Sequence, residues 1–185
     1  MTDDAATFRV PPLLQVDVAG EAMVLRPWTT DSDDIAVVLA ASEEAEIRRF
    51  SSVGAVRDRG QARDWIASRR SERRLDWAME YGSEVVGRVG LHRLDDEDKV
   101  AELGYWLLAE RRGQGLITQA VREVTRYAFT DLEVGRLEIR HEPENTASCR
   151  VAQRCEFQEE GTQRGAMLRG DARLDLHLHA RLATD

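Results

Sequence analysis

The chain has 185 residues, 42% of them hydrophobic and 32% charged, and a formal net charge of -8. That length suits one domain with a sizeable core, and the acidic balance argues against general affinity for nucleic acid. No apolar run approaches membrane-spanning length, and the acidic start Met1-Thr2-Asp3-Asp4 lacks the apolar stretch of a signal peptide, so the expectation is a cytoplasmic protein with no membrane partner. Cys149 and Cys155 lie six apart in one predicted helix, on different faces, so a mutual disulfide is not expected and a reducing compartment is the simplest home.

Residues 1–20 carry few periodic signals and read as a tail or a first pairing segment, with one domain over 21–185. Met23 to Arg26 reads as a strand stopped by Pro27. Asp31 to Asp34 offer N-caps for a helix through Ile35, Val38 and Leu39. Glu43 to Phe50 continues as a second short helix. A third is expected from about Gly60 to Arg74, with Ala62, Trp65 and Ile66 on one side and Arg69-Arg70 and Arg73-Arg74 on a solvated face. Two alternating runs follow, Asp76 to Tyr81 and Glu84 to Leu94, joined at Gly82-Ser83 in a hairpin. Asp95 to Lys99 is a charged turn.

An apolar strand then runs from Ala101 to Leu108. After it come Arg111-Arg112-Gly113-Gln114-Gly115-Leu116 and a helix with Ile117, Ala120, Val121, Val124 and Ala128 on one stripe. Leu137 to Arg140 is another strand, Asn145 to Arg154 a short helix, Phe157 to Gly161 a strand start, and Leu174 to Leu182 a closing strand. Strands, then helix, strand, helix and strands make an α+β domain with a mixed sheet. No repeat or low-complexity linker interrupts it.

The turn at Gly113 and Gly115 is the most informative stretch. A glycine-spaced turn between a strand and a helix start aims backbone N–H groups at one point, and the helix dipole adds positive charge there, which suits a phosphate. Arg111 and Arg112 place cations beside it. There is no Lys-Ser/Thr ending of a nucleotide-hydrolysing P-loop, and no third glycine of a dinucleotide fingerprint. Taken alone, a Gly-x-Gly turn is more often a tight connection than a ligand site.

In its context the segment resembles the acyl-CoA motif of the GNAT acyltransferase superfamily, Gln/Arg-x-x-Gly-x-Gly/Ala. Glu110 stands where Gln or Arg is usual. That glutamate and the preceding Leu-Gly-Tyr-Trp-Leu look like the RimJ/RimL-type branch, which acetylates ribosomal-protein N-termini. The resemblance covers roughly residues 22–182. It implies the GNAT fold with a mixed sheet of about six or seven strands flanked by helices. It also implies acetyl-CoA as co-substrate, no metal, an amine acceptor, direct transfer in a ternary complex, and a homodimer. By the same resemblance Trp106, Leu107 and Leu108 would meet the pantetheine arm through backbone groups. Arg111, Arg112, Gly113, Gln114, Gly115, Leu116 and Ile117 would hold the pyrophosphate.

Asn145-Thr146-Ala147-Ser148 opens the later helix, and by chemistry alone Asn145 is an N-cap. The resemblance gives Asn145 a hydrogen bond to pantetheine and makes Ser148 the donor of a proton to the departing thiolate. Gln153 and Glu156 depart from the family's Glu and Gly. Other branches carry a tyrosine acid where Ala152 stands. Glu102, a carboxylate inside an apolar strand, is the candidate base, its pKa expected to rise on burial; the competing reading pairs it with Arg88, Arg140 or the backbone. Glu80 and Glu138 are weaker alternatives. Trp28, Arg48, Phe50 and His141 are candidate neighbours of the acceptor. Asp175, His177 and His179 alternate on the last strand. They read as a polar outer face away from the glycine turn rather than as a metal site. Two rival functions stand beside N-acetyl transfer: a same-fold enzyme with another acyl donor or an antibiotic-type acceptor, and a non-enzymatic CoA-binding regulator.

Overall fold

A computed structural model describes residues 9–185. In chain order the elements are β1 (Leu14–Val18), β2 (Glu21–Pro27), α1 (Ser32–Glu43), α2 (Ala45–Phe50), α3 (Arg59–Ala67), β3 (Arg74–Tyr81), β4 (Glu84–Asp95), β5 (Val100–Leu107), α4 (Leu116–Thr130), β6 (Arg136–His141), α5 (Thr146–Arg154), β7 (Gln158–Arg169) and β8 (Ala172–Leu182). The strands form a single eight-stranded sheet in the order β1-β2-β3-β4-β5-β6-β8-β7, one or two strands more than expected. The extra strand is β1, which pairs with β2 from Leu14↔Leu25 to Val18↔Glu21 and alternates buried and exposed.

The local chemistry explains most element ends. Asp31 caps α1 by accepting the Asp34 N–H at 3.0 Å, and Asp58 caps α3 through the Gln61 N–H at 2.8 Å. Gly82 and Ser83 turn β3 into β4 with φ of +60 and +65, the doubly left-handed turn that matches strand twist. The helix expected to reach Arg74 stops at Ala67. Ser68 closes it, its N–H bonding to Asp64 and its hydroxyl to the Trp65 carbonyl, and Arg74 already belongs to β3. The arginine pairs therefore do not form a solvated helix face. Arg69 lies over the Trp65 ring at 4.6 Å, and burial together with Arg74 and Arg88 pulls its pKa down to about 10.

Each face of the sheet carries its own core. On one, α4 buries Leu116, Ala120, Val121, Val124 and Ala128 against Leu103, Leu107, Leu137 and Ile139, and Ala152 of α5 joins them. On the other, α1, α2 and α3 pack Ile35, Val38, Ile47 and Ile66 around Trp28, Trp65 and Trp106. The alternation of β5 divides its side chains between the two, Leu103 and Leu107 one way, Trp106 and Leu108 the other. Val121 and Val124 are completely enclosed, each worth about 1.5–3 kcal/mol of burial. None of the helices among the described residues is long and apolar enough to cross a membrane.

Candidate functional site

Strands β5 and β6 run parallel but pair only at Val100↔Arg136, Ala101↔Leu137 and Glu102↔Glu138. Past that point they diverge, and a wedge opens in the sheet between residues 104–107 and 139–141. Leu108 N–H donates to the Val86 carbonyl at 3.0 Å, so the backbone of Leu108, and by alternation that of Trp106, faces β4. Neither can offer the backbone groups expected of it. Leu107 faces the wedge, and its carbonyl accepts from Arg112 Nε at 3.1 Å. The Trp106 side chain is buried with Trp28 and Trp65, at centroid distances of 6.2 and 6.4 Å.

The glycine turn stands at the mouth of the wedge. Gly113 and Gly115 hold φ of +79 and +81, a region costly to any residue with a Cβ, and among the described residues no atom beyond the adjoining ones lies within 4 Å of where that Cβ would be. Among the described residues the N–H groups of Gly113, Gln114, Gly115, Leu116, Ile117 and Thr118 have no hydrogen-bond acceptor; the first intrahelical bond of α4 is Gln119 N–H to Gly115. The Arg112 N–H, expected among the anion's donors, is already bonded to Ala109. The arginines differ from expectation too. Arg111 is ion-paired with Glu84, and Arg112 with Glu44 at 2.8 Å and with Glu46. They tie the turn to β4 and α2, and three carboxylates offset their charge. Attraction for an anion rests on the backbone and the dipole of α4.

Across the wedge is the start of α5. Asn145 accepts the Ser148 N–H at 3.1 Å as an N-cap, and Ser148 is 8% exposed. The Ser148 hydroxyl lies 2.9 Å from the Tyr105 hydroxyl. Burial pushes the Tyr105 pKa far up, so the phenol keeps its proton. Nothing in the local sequence around Tyr105 marks it for this contact. The contact spans 43 positions, and only the pairing of β5 with β6 brings it about.

Glu102 points to the other face. Arg140 Nε donates to it at 2.8 Å, His92 Nε2 lies 3.1 Å away and Arg93 3.9 Å. Burial opposes its charge, but His92 and Arg140 outweigh burial and its pKa falls below the ordinary carboxylate value instead of rising. Arg88 goes elsewhere, to a buried ion pair with Asp76. Room for that pair comes from the facing glycines Gly90 and Gly104: a Cβ on Gly90 would sit 2.9 Å from the Asp76 carboxyl carbon. Glu80 and Glu138 are taken by Arg26 and Arg136 at 2.7 and 2.9 Å. Glu102 and Arg140 border an open groove of about 500 Å³ with Ser71, Arg74 and Glu138.

The candidate acceptor residues separate. Trp28 is 3% exposed, edge-on to Trp65 at 5.7 Å, a core residue rather than a cleft wall. Arg48 lines a small groove with Ser42 and Arg57 beside α1, and Phe50 is half-buried under Arg49. His141 is 5% exposed at the end of β6, with Nδ1 2.8 Å from the Glu142 carbonyl. The polar outer face expected of β8 does not exist: His179 is fully buried and stacks on His141 at 5.2 Å, while Asp175 turns away to accept the Gly165 N–H at 2.8 Å. Both cysteines are free.

Residues 22–158 match the Acetyltransferase (GNAT) domain model, and the chain belongs to that family. The chain is 30% identical over 150 residues to the protein of Bacillus licheniformis called uncharacterized N-acetyltransferase p20, covering 78% of this chain and 83% of that one. It is 34% identical over 99 residues to the ribosomal-protein-serine acetyltransferase of Escherichia coli, covering 54% and 55%. The fold is shared with Mycobacterium smegmatis RimJ in complex with CoA-disulfide, at a TM-score of 0.81, 23% identity and 93% and 87% coverage.

Proposed function

We propose that this GNAT-family acetyltransferase moves an acetyl group from acetyl-CoA to a primary amine, with a protein N-terminus as the favoured acceptor. The observation that carries the donor is the run of six free N–H groups from Gly113 to Thr118 at the start of α4, with Gly113 to Gly115 exposed and Leu116 enclosed. Such a run suits a pyrophosphate without help from a metal. The acceptor class follows from the Escherichia coli relative's name.

The amine nitrogen attacks the thioester carbonyl, the C–S bond breaks, and the leaving thiolate takes a proton. Ser148 supplies it. The two hydroxyls lie 2.9 Å apart and the phenol also reaches the Ser148 carbonyl at 3.3 Å; in this reading Tyr105 donates to Ser148 Oγ, which leaves the serine's hydrogen free for the thiolate. The free N–H of Leu107 faces the same gap and suits the carbonyl oxygen as charge builds on it. Asn145 spends its oxygen on the cap and keeps its amide NH2 for pantetheine. Glu102 is ionised at neutral pH and able to receive the amine's proton, but its lowered pKa makes it a weak base. Its firmer contribution is holding Arg140 and His92 at the foot of the wedge.

A homodimer belongs to this reading in altered form. Strand β8 is paired on both sides, which leaves β1 and β7 as the sheet's edges; this reading places the contact on β7, with Leu168 exposed on it. The test of function is thiol release from acetyl-CoA over a panel of peptides with free N-termini and of small amines. Release with peptides is the expected result. Absence of both release and CoA binding overturns the reading, and release with small amines alone moves the acceptor class.

A further inference from the structure

Three side chains from separate elements converge beneath the start of α5: His141 at the end of β6, Cys149 on α5 and His179 on β8. One ring nitrogen of each histidine and the Cys149 sulfur lie within 4.8 Å of one another. His179 is 0% exposed and His141 5%. By hydrogen-bond geometry neither nitrogen of His179 is partnered, although the Phe157 backbone stands close by, nor is His141 Nε2. Buried polar groups are almost always partnered, so an orphaned nitrogen on each of two adjacent rings asks for a ligand, and one ion would take one nitrogen from each. No hydrogen bond joins the two rings, and both lose basicity there. For His141 burial is the largest cause, against the Glu142 carbonyl and with His177 and His179. For His179 burial again leads, against Glu159 and the Phe157 backbone and with His177.

The geometry points to a metal site, and we propose that His141, Cys149 and His179 bind a thiophilic cation of the Zn2+ class. Each feature of the trio fits. His141 Nδ1 is placed to donate to the Glu142 carbonyl, which fixes the tautomer and leaves the Nε2 lone pair toward the cluster. A ligating histidine is usually held by such a backbone contact on its far nitrogen. Two neutral imidazoles and a thiolate are a borderline-soft set that suits Zn2+. No carboxylate belongs to the trio, which disfavours Ca2+ and Mg2+. Tetrahedral Zn2+ needs ligand atoms roughly 3.3–3.7 Å apart, given bonds of about 2.0–2.3 Å. The cluster must therefore draw in by about 1 Å, within reach of a half-exposed cysteine changing rotamer. The thiol proton is released to solvent on binding. The fourth position is left to water. Bound metal would pin the first turn of α5 to β6 and β8, next to Ser148. Acetyl transfer needs no metal, and this proposal stands or falls independently of that reaction.

The test is a Co2+ titration of chelator-treated, otherwise intact protein, read by absorbance. One equivalent of Co2+ should give a thiolate-to-cobalt charge-transfer band and the visible bands of a tetrahedral site, both displaced by Zn2+. Zn2+ should also raise the thermal midpoint. Cys149→Ser should remove the charge-transfer band and weaken Zn2+ binding at least about 100-fold. His177→Gln, outside the trio, should keep both. A spectrum with no thiolate band overturns the proposal, as does Zn2+ affinity unchanged in Cys149→Ser. His179→Gln gives a further check on the imidazole side. Because Cys149 is only half-buried, its variant decides the matter even if the His179 variant does not fold.

Discussion

The contact between Tyr105 and Ser148 admits a quantitative test. If Tyr105 orients the serine hydroxyl, Tyr105→Phe should lower kcat without changing the KM for acetyl-CoA. The hydrogen bond is 2.9 Å long, and Ser148 is 8% exposed, so little water can replace the phenol. A net hydrogen bond of about 1 kcal/mol corresponds to roughly fivefold in the population of the productive rotamer, so a loss near fivefold is expected. Ser148→Ala removes the acid itself and should cost about 100-fold, the low end for proton donation because a thiolate leaves readily. The double variant should be no slower than Ser148→Ala, since nothing remains for the phenol to orient. The assay is thiol release under saturating acetyl-CoA and the best acceptor of the panel. Two results refute the reasoning: Tyr105→Phe at full rate, or a double variant slowed by the product of the single losses, about 500-fold.

Other outcomes follow from neighbouring features. Gly115→Val should fold yet weaken CoA binding by about 100-fold in calorimetry, because φ of +81 does not suit a β-branched residue; unchanged affinity removes the turn from the donor site. Glu102 has a pKa lowered by His92 and Arg140, so its contribution to stability is present above the unfolded carboxylate value of about 4.3 and disappears as pH falls through the lower folded value. Glu102→Gln should therefore be less stable than the parent at neutral pH and approach it near pH ~3, and a constant gap across that range contradicts the ion-pair account. In activity, a base role for Glu102 would show as a loss that shrinks as pH rises. Light scattering should report a dimer that Leu168→Glu dissociates; a monomer at high concentration removes β7 as an interface.

What the sequence revealed was local. Gly82-Ser83, the caps at Asp31 and Asn145, and the turn at Gly113 and Gly115 are each decided by dihedral preference or a bond three residues long, and each is legible in a short window. The stripe of α4 is legible for the same reason. The overextended α3 shows the limit: Arg69, Arg70 and Arg73 have good helix propensity, but the Ser68 cap and the pairing of β3 decide otherwise. Strand β7 reads as a strand only at its start because almost no side chain on it is buried. The site was half legible. The glycine turn and Ser148 carry motif-like spacing, whereas Tyr105, the partners of Glu102 and the burial of His179 depend on contacts tens of residues apart. The alternation of β8 told which residues share a face, but not that α5 would cover that face.

The three rungs between β5 and β6 have a mechanical meaning. Everything from β1 to β5 pairs with its neighbour in sequence, and β6, β8 and β7 form a second ribbon, so one continuous sheet is in effect two plates riveted at Val100, Ala101 and Glu102. The rivets sit at one end and the free edges at the other, which lets the angle between plates respond to what is wedged between them. A pantetheine arm lying in the gap would complete the missing rungs and stiffen the whole sheet. Backbone amide exchange at Tyr105, Leu107 and Arg140 would then report occupancy of the gap directly, long before any product is made.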